Sequence, residues 1–472
     1  MARMPDLRLR ALPSVERLLH HPAVAEVLRD LPRSVVLEAV RAELADARAV
    51  LKRSKRAAPP EHDALAAQVV TLARSAARPQ LVRVLNATGI VLHTNLGRAP
   101  LAESARRAVA EVAAGYSSLE YDLEAGKRGD RGTGIERWLT RLTGAEAAMA
   151  VNNGAAAVMV VLSAVATGRK VLVSRGELVE IGGSFRVPEI MAKSGALLVE
   201  VGATNRTHLR DYERAFDQND GIAAILRVHP SNFRIQGFTA RPELAELAKL
   251  AKKKRVPLIE DLGSGALVDL APYGLEHEPT VAESLAAGVD LVTCSGDKLL
   301  GGAQAGLILG TKRWVQKVRK DPFARAMRVD KLALAALEAT LALYADPVRA
   351  AEQIPTLIAL RAPREALQGR AERLADELRG RVAGLETRIV EGYGEVGGGA
   401  MPLEKLKGPV VELKHVSLSA AELERRARAA NPPVIGIVRA DRFRLDPRTL
   451  TETEVGMLAI SLARAYAEGG SR

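Results

Sequence analysis

The sequence predicts an α/β fold with a mostly parallel, seven-stranded sheet, a small N-terminal helical domain and a smaller C-terminal α+β domain. Short, continuous apolar runs recur from about residue 80, which is typical of strands that are buried on both faces. Helical stretches separate these runs, as crossovers between parallel strands require. The predicted strands are 147–151, 170–174, 196–201, 222–228, 256–260, 290–293 and 305–309.

The domain boundaries follow from length and from breaks in the pattern. A chain of 472 residues exceeds one ordinary core, so two or three domains are expected. The segment Ala57-Ala-Pro-Pro60 interrupts an N-terminal helical pattern, and after about residue 335 the chain becomes helical and then mixed. We therefore predict a helical domain at 1–58, a linker and helix at 59–80, a large α/β domain at 81–335 and a small domain at 336–472.

Composition narrows the classes of function. The formal net charge is +12 and the pI is near 9.8, which leaves a nucleic-acid partner open without requiring one. Aromatic residues make up only 3%, which argues against base stacking on single strands as the main activity. The single cysteine, Cys294, excludes an internal disulfide and a cysteine-cluster metal site. No signal sequence or long apolar run is evident, so a soluble, cytoplasmic protein is expected.

The N-terminal helical pattern carries a basic stripe. Apolar residues recur at helical spacing in the segment after Ser34, at Val36, Val40, Leu44, Ala47 and Leu51. Beside them lie the basic residues Arg41, Arg48, Lys52 and Lys55. Such stripes are more often solvated helix faces, but they also suit contact with a nucleic-acid backbone.

A lysine in a glycine-rich turn is the first candidate for chemistry. The apolar, β-branched run from Asp290 ends in Ser295, Gly296 and Asp297, and Lys298 follows directly. Such a turn aims an amine into a cleft where low polarity favours the neutral nucleophile, as a Schiff-base lysine needs. Taken alone, Lys298 is better explained as an exposed loop lysine, because most lysines are exposed.

Two features that precede Lys298 in the sequence favour a Schiff-base lysine over an exposed loop lysine. The segment Asn153, Gly154 and Ala155 follows a predicted strand and opens a helix, which is a suitable cup for a phosphate, and the Ser295 hydroxyl is a further phosphate ligand. Asp261 ends another strand, where a carboxylate needs a cationic partner such as a protonated pyridine nitrogen. Together with Lys298 they predict a fold-type I enzyme that uses pyridoxal 5′-phosphate (PLP).

Six longer motifs stand out: 86–98 (NATGIVLHTNLGR), 115–128, 174–186, 201–208, 229–234 and the Lys298 stretch. They resemble motifs of the bacterial selenocysteine synthase family, the L-seryl-tRNA(Sec) selenium transferases. The resemblance covers essentially the whole chain. It implies a PLP domain, a small tRNA-binding N-terminal domain and a ring-shaped homodecamer of five dimers.

The resemblance also implies the reaction. Seryl-tRNA(Sec) displaces Lys298 from the cofactor, the freed amine removes the α-proton, and loss of the hydroxyl leaves a dehydroalanyl intermediate. Selenium from selenophosphate then adds to give selenocysteinyl-tRNA(Sec). Arg83, Arg325 and Arg328 match the family's oxyanion-binding arginines, and Asp297 matches a family position beside the lysine.

His229 is a further catalytic candidate, either stacked on the cofactor or donating a proton to the departing hydroxyl, although a structural histidine explains it equally well. Two rival functions remain at this point. One is a PLP lyase that acts on a free amino acid, which has no need of the basic N-terminal module. The other is a catalytically silent tRNA-binding protein, against which the joint presence of Lys298, Asp261 and the arginines argues.

Overall fold

The structure is a computed structural model that describes residues 7–54, 56–182 and 185–467. The chain divides into two compact units, Met1–Arg83 and Val84–Arg472. In those three ranges every helix is too short or too polar to cross a lipid bilayer.

The first unit is helical and has its own apolar core. The basic stripe lies on its long fourth helix, whose buried positions include Val36, Val40 and Leu44. These residues pack with Leu65 and Val69 of the fifth helix, as the apolar spacing predicts. The helices are α1 (Leu7–Arg10), α2 (Val15–Leu19), α3 (Pro22–Asp30), α4 (Arg33–Arg53) and α5 (His62–Ala77).

The second unit contains the α/β domain. Its strands are β1 (Leu85–Asn86), β2 (Tyr121–Asp122), β3 (Lys127–Arg128), β4 (Ala147–Val151), β5 (Lys170–Ser174), β6 (Glu180–Gly182), β7 (Phe185–Arg186), β8 (Leu197–Val201), β9 (Ile222–Val228), β10 (Leu258–Gly263), β11 (Leu291–Ser295), β12 (Gly306–Gly310), β13 (Leu385–Glu395), β14 (Lys405–His415), β15 (Val434–Ile435), β16 (Ile437–Arg439) and β17 (Arg442–Leu445).

Helices connect these strands and cover the sheets. They are α6 (Glu103–Ala113), α7 (Thr133–Thr143), α8 (Gly154–Ala166), α9 (Val187–Lys193), α10 (Leu209–Gln218), α11 (Leu244–Lys254), α12 (Val281–Ala286), α13 (Lys312–Arg319), α14 (Pro322–Ala326), α15 (Lys331–Leu343), α16 (Pro347–Gln353), α17 (Pro355–Leu360), α18 (Arg364–Arg381), α19 (Ala420–Ala429) and α20 (Glu452–Ala467).

The central sheet has the order β4-β12-β11-β10-β9-β5-β8, and these seven strands of the described chain match the seven predicted runs. Strands β11, β10, β9, β5 and β8 are parallel neighbours, and β12 is antiparallel to both β11 and β4. Because β12 is antiparallel to both of its neighbours, β4 runs in the same direction as β11. The carboxyl ends of β4, β9, β10 and β11 therefore lie at one edge of the sheet. The predicted fold class is confirmed.

Both faces of this sheet are buried, which explains why its strands read as continuous apolar runs. On β5, Val171 and Val173 belong to one apolar cluster and Leu172 belongs to another. Beyond the central sheet, β13, β14, β17 and β16 form an antiparallel sheet with its own cluster against α18, α19 and α20. The division of this unit into a large and a small domain remains a prediction.

Candidate active site

Lys298 lies in a buried turn at the carboxyl edge of the central sheet. It follows the end of β11 and is only 5% exposed. The next residue is tied back to the β10 side of the site, since the backbone N–H of Leu299 donates to the carbonyl of Ser264 over 3.1 Å. The Lys298 Nζ lies 3.5 Å from the carbonyl oxygen of Gly399, which belongs to the glycine-rich loop after β13. This amine is therefore enclosed rather than solvated.

The surroundings of Lys298 favour its neutral form. Burial lowers the pKa of the amine first, and the nearby positive charge of Arg98 lowers it further. Asp261, Asp297 and Glu278 oppose the shift without cancelling it. The exposed-lysine alternative that the sequence left open is thus excluded.

The loop that reaches Lys298 depends on consecutive glycines. Gly397, Gly398 and Gly399 all have positive φ, of 76°, 61° and 76°. A side chain on Gly398 would lie 2.6 Å from the carbonyl oxygen of Leu92, and one on Gly399 would lie 3.3 Å from Lys298 Nζ. Only glycine allows the loop to approach the lysine this closely.

Asp261 lies in the second half of β10, where its charge acts on Lys298. It pairs in register with Thr293 of β11, whose hydroxyl donates to Asp261 Oδ1 over 2.9 Å. Burial raises the pKa of the Asp261 carboxyl to about 6, and the Thr293 hydrogen bond and Lys298 only moderate that rise. A buried carboxyl of this kind is best stabilised by a cation placed against it.

The predicted phosphate cup forms at the end of β4. Asn153 caps α8 through its side chain, which accepts from the backbone N–H of Ala156 over 2.9 Å. A side chain on Gly154 would lie 2.7 Å from Ser295 Oγ, so the structure brings the Ser295 hydroxyl to the cup. Free N–H groups at the start of a helix of thirteen residues, joined by a hydroxyl, suit an anion.

Asp297 forms an ion pair that the sequence did not reveal. Its Oδ2 accepts from Arg98 Nη1 over 2.8 Å, and the Asp297 side chain is largely buried. Arg98 is the last residue of the 86–98 motif and has a left-handed backbone with φ 60°. That unusual conformation turns the motif's end towards a residue 199 positions away. The sequence signal that could have pointed to Arg98 was its position at the end of the 86–98 motif.

His229 follows β9 and lies beside Asp261, to whose carbonyl its backbone N–H donates over 2.9 Å. Its ring Nε2 is 3.4 Å from Oε1 of Glu278, a buried glutamate that sequence reasoning missed. No hydrogen bond reaches that Oε1 from any residue that the structure describes. The histidine is thus next to the lysine site and has an acidic neighbour.

The three predicted anion-binding arginines have different surroundings. Arg328 pairs by its backbone with Val151, two residues before the phosphate cup, and its guanidinium lies 3.2 Å from Glu120. Arg325 lies on α14 and is exposed. Arg83 is the last residue of the first unit, so its predicted place at the lysine site remains a prediction.

Cys294 lies four residues before Lys298 and is completely buried. Burial raises the pKa of its thiol to about 12, and the neighbouring Asp261 acts in the same direction. The thiol is thus a small core side chain.

The basic stripe lies on α4 as predicted. Arg41, Arg48 and Lys52 are exposed along that helix, and Lys55 lies outside the described residues. Their contact with tRNA remains a prediction. Among the described residues, no group of three or more histidine, cysteine, aspartate or glutamate side chains is placed to hold a metal ion.

Comparison with known proteins decides the family. The L-seryl-tRNA selenium transferase model matches residues 84–451, and the selenocysteine synthase N-terminal model matches residues 9–48. The chain belongs to the L-seryl-tRNA selenium transferase family. The resemblance read from the sequence motifs is therefore confirmed.

Relatives that share this family name match the chain nearly end to end. The L-seryl-tRNA(Sec) selenium transferase of Nitratidesulfovibrio vulgaris is 48% identical over 465 residues, covering 97% of this chain and 98% of that protein. The protein of the same name from Geobacter sulfurreducens is 47% identical over 448 residues, covering 94% and 96%. Among solved structures, D-glucosaminate-6-phosphate ammonia-lyase matches with a TM-score of 0.55 and 23% identity, covering 82% of this chain and 96% of that one, which supports the fold.

Proposed function

We propose that this protein converts L-seryl-tRNA(Sec) to L-selenocysteinyl-tRNA(Sec), with selenophosphate as the selenium donor and PLP as the cofactor. The observation that carries the proposal is the buried Lys298, whose amine pKa is lowered by burial, in a chain that matches named selenium transferases over almost its whole length. A silent RNA-binding protein has no use for a buried lysine of this kind, since its desolvation is a cost without a return.

The residues present fit PLP. The amine of Lys298 is the covalent attachment point, and the carboxylate of Asp261 is the partner of the ring nitrogen. The helix start at Gly154 and Ala155, with the Ser295 hydroxyl, receives the phosphate. When bound, PLP withdraws electrons from the substrate's α-carbon, which permits loss of the α-proton and then of the β-hydroxyl.

Lys298 is the group that moves the α-proton. An amine whose pKa is lowered by burial is neutral in a larger fraction of molecules, and it is therefore available as a base. Asp261 would hold the cofactor's ring nitrogen in its protonated form. Burial raises the pKa of the Asp261 carboxyl, so the charged carboxylate needs a cation beside it, and a protonated ring nitrogen would be that cation.

Two further side chains act near the lysine. His229 is the proposed proton donor to the departing hydroxyl, and its ring Nε2 lies 3.4 Å from Glu278. Asp297 and Arg98 form an ion pair near Lys298, where Asp297 adds negative charge near the amine and Arg98 opposes that effect. With burial, this balance leaves the pKa of the amine below its ordinary value.

Arginines supply the charge that an anionic selenium donor needs, because the planar guanidinium binds oxyanions with two parallel hydrogen bonds. Arg328 is best supported, since its backbone is joined to the strand that leads into the phosphate cup. Glu120 binds Arg328, Arg131 and Arg128, so these arginines are held as a cluster. Arg325 and Arg83 complete the proposed donor site.

The first unit provides the contact to the tRNA through Arg41, Arg48, Lys52 and Lys55. We further propose that the protein works in the cytoplasm as a decamer of five dimers, on the strength of the family resemblance. The rival lyase for free amino acids would need neither the basic helix nor the family's N-terminal domain, which matches residues 9–48.

The test is the visible absorbance of the PLP-loaded protein beside Lys298→Ala and a control, Lys320→Ala, which removes an exposed lysine. The wild type and the control should show an absorbance band above 400 nm that seryl-tRNA(Sec) perturbs, and Lys298→Ala should lack it. A band that responds to free serine and not to charged tRNA would favour the lyase. No band with added PLP would refute the proposal.

A further inference from the structure

A cavity lies near the lysine site, and none of the residues assigned to the cofactor lines it. It has a volume of about 320 Å³, within the range of small-ligand sites. Its walls come from separate parts of the second unit: 174, 176–177, 204–207, 229–230, 233–235, 239–241, 276–278 and 401–403.

Two residues of the cavity wall are close in the chain or by hydrogen bond to residues around Lys298. His229 lines it and is hydrogen-bonded through its backbone to Asp261. Met401 also lines it and lies two residues after Gly399, whose carbonyl is 3.5 Å from Lys298 Nζ. A ligand in this cavity can therefore be joined by a few bonds to a group that reacts at the lysine.

The charges of the cavity favour a neutral ligand with a hydrogen-bond donor. Arg234 is paired with Glu276 at 2.8 Å, and Arg241 is paired with Glu177 at 3.1 Å. Glu278 is 5% exposed, and its Oε1 lies 3.4 Å from the ring Nε2 of His229 without receiving a hydrogen bond from a described residue. Because a buried carboxylate needs hydrogen-bond donors, an amino or hydroxyl group of a ligand is expected against Glu278.

The apolar part of the lining favours a flat ring. Phe233, Pro402 and Leu403 contribute to the wall, and Phe233 is half-buried. Aromatic side chains stack on any nucleobase because each base has a π-face. Arg206 is exposed among the lining residues, where a phosphate attached to such a ligand would find a cation.

The substrate's own chemistry identifies such a ligand. In seryl-tRNA the serine carboxyl is esterified to the terminal ribose, so the substrate has no carboxylate for an arginine to bind. Recognition next to the reacting carbon must therefore come from the nucleoside, which is a few bonds away. We propose that this cavity binds the 3′-terminal adenosine of seryl-tRNA, with the base against Phe233 and a donor group on Glu278. The proposal rests on the proposed function and adds the site that separates seryl-tRNA from free serine.

The experiment compares two stable amides by calorimetry on the PLP-loaded protein: 3′-serylamino-3′-deoxyadenosine and serinamide. Both present a seryl amine to the lysine site, and only the first carries a nucleoside. The adenosine amide should bind at least about tenfold more tightly, which corresponds to about 1.4 kcal/mol. Phe233→Ala should remove most of that difference and leave the Kd of serinamide unchanged.

Matched variants separate the outcomes. Phe238→Ala, five residues along the same loop, removes an 84% exposed phenylalanine that does not line the cavity, and it should preserve the tenfold difference. Glu278→Met keeps volume and removes the acceptor, so it should weaken the adenosine amide more than serinamide, even if its contact with His229 shifts both. Equal affinities for the two amides in the wild type, or equal loss in Phe233→Ala, would overturn the inference. Failure of both amides to bind would instead count against the proposed function.

Discussion

Replacing Asp261 by asparagine should stabilise the cofactor-free protein at neutral pH. The carboxyl is buried, and its pKa in the folded protein is about 6 compared with an ordinary value of 3.8. The folded state therefore binds this proton more tightly than the unfolded state does. The contribution of Asp261 to stability is fully present below about pH 4, is lost as pH rises to about 6, and stays lost above that.

The size of the effect follows from this shift. One pKa unit corresponds to about 1.36 kcal/mol, so a rise from 3.8 to about 6 makes the ionised form cost roughly 3 kcal/mol. Asparagine keeps an acceptor for the Thr293 hydroxyl and carries no charge. The amide hydrogens of asparagine need acceptors of their own, which offsets part of this 3 kcal/mol. We therefore expect the free energy of unfolding to rise by about 1–3 kcal/mol at pH 7.5.

The assay is urea unfolding of both apoproteins at several pH values between 4.5 and 8. The difference in unfolding free energy should grow with pH and level off above about pH 6.5. Asp217→Asn is the control, because this aspartate is 72% exposed and pairs with Lys254 at the surface. An Asp261→Asn apoprotein that is less stable at pH 8, or a gain that does not change with pH, would refute the reasoning. With PLP bound, the sign should reverse, because the ring nitrogen loses its counter-ion.

Three further predictions concern the turn at Gly265, the binding of selenophosphate and the binding of tRNA. A side chain on Gly265 would overlap a backbone carbonyl oxygen at the end of β11, so Gly265→Ala should cost about 2–4 kcal/mol in urea unfolding. Gly274→Ala, at a similar positive φ with open space around it, should cost about 1 kcal/mol. Arg328→Ala should raise the KM for selenophosphate about tenfold in steady-state assays, with little effect on tRNA affinity. Reversing Arg48 and Lys52 to glutamate should weaken tRNA binding at least about tenfold and reduce its salt slope by about 2, while the cofactor absorbance stays intact. Unchanged tRNA affinity would remove the stripe from the interface.

The core of the site could be predicted because it depends on strand ends. Lys298, Asp261 and the Asn153 turn each follow an apolar run, and parallel strands bring their carboxyl ends to one edge. The pattern of small and apolar residues therefore carried most of the information about which side chains meet. Helical spacing did the same for α4, whose apolar positions are buried.

The contacts made by loops could not be predicted in this way. Arg98 meets Asp297 across 199 residues of sequence, and Gly399 meets Lys298 across 101. Nothing local in a sequence encodes such a pairing, because it depends on how two loops pack after the sheet has formed. Glu278 was missed for the same reason: its burial and its contact with His229 appear only in three dimensions.

The burial of Cys294 has a practical consequence. Since the chain has one cysteine and that thiol is inaccessible and protonated, the native protein should behave towards thiol reagents as if it had none. A single cysteine introduced on the exposed face of α4 can then carry a fluorophore without a cysteine-free background. The rate at which Cys294 itself is labelled would then measure opening of the sheet near Lys298, so one thiol reagent would report both on the surroundings of α4 and on the stability of the lysine site.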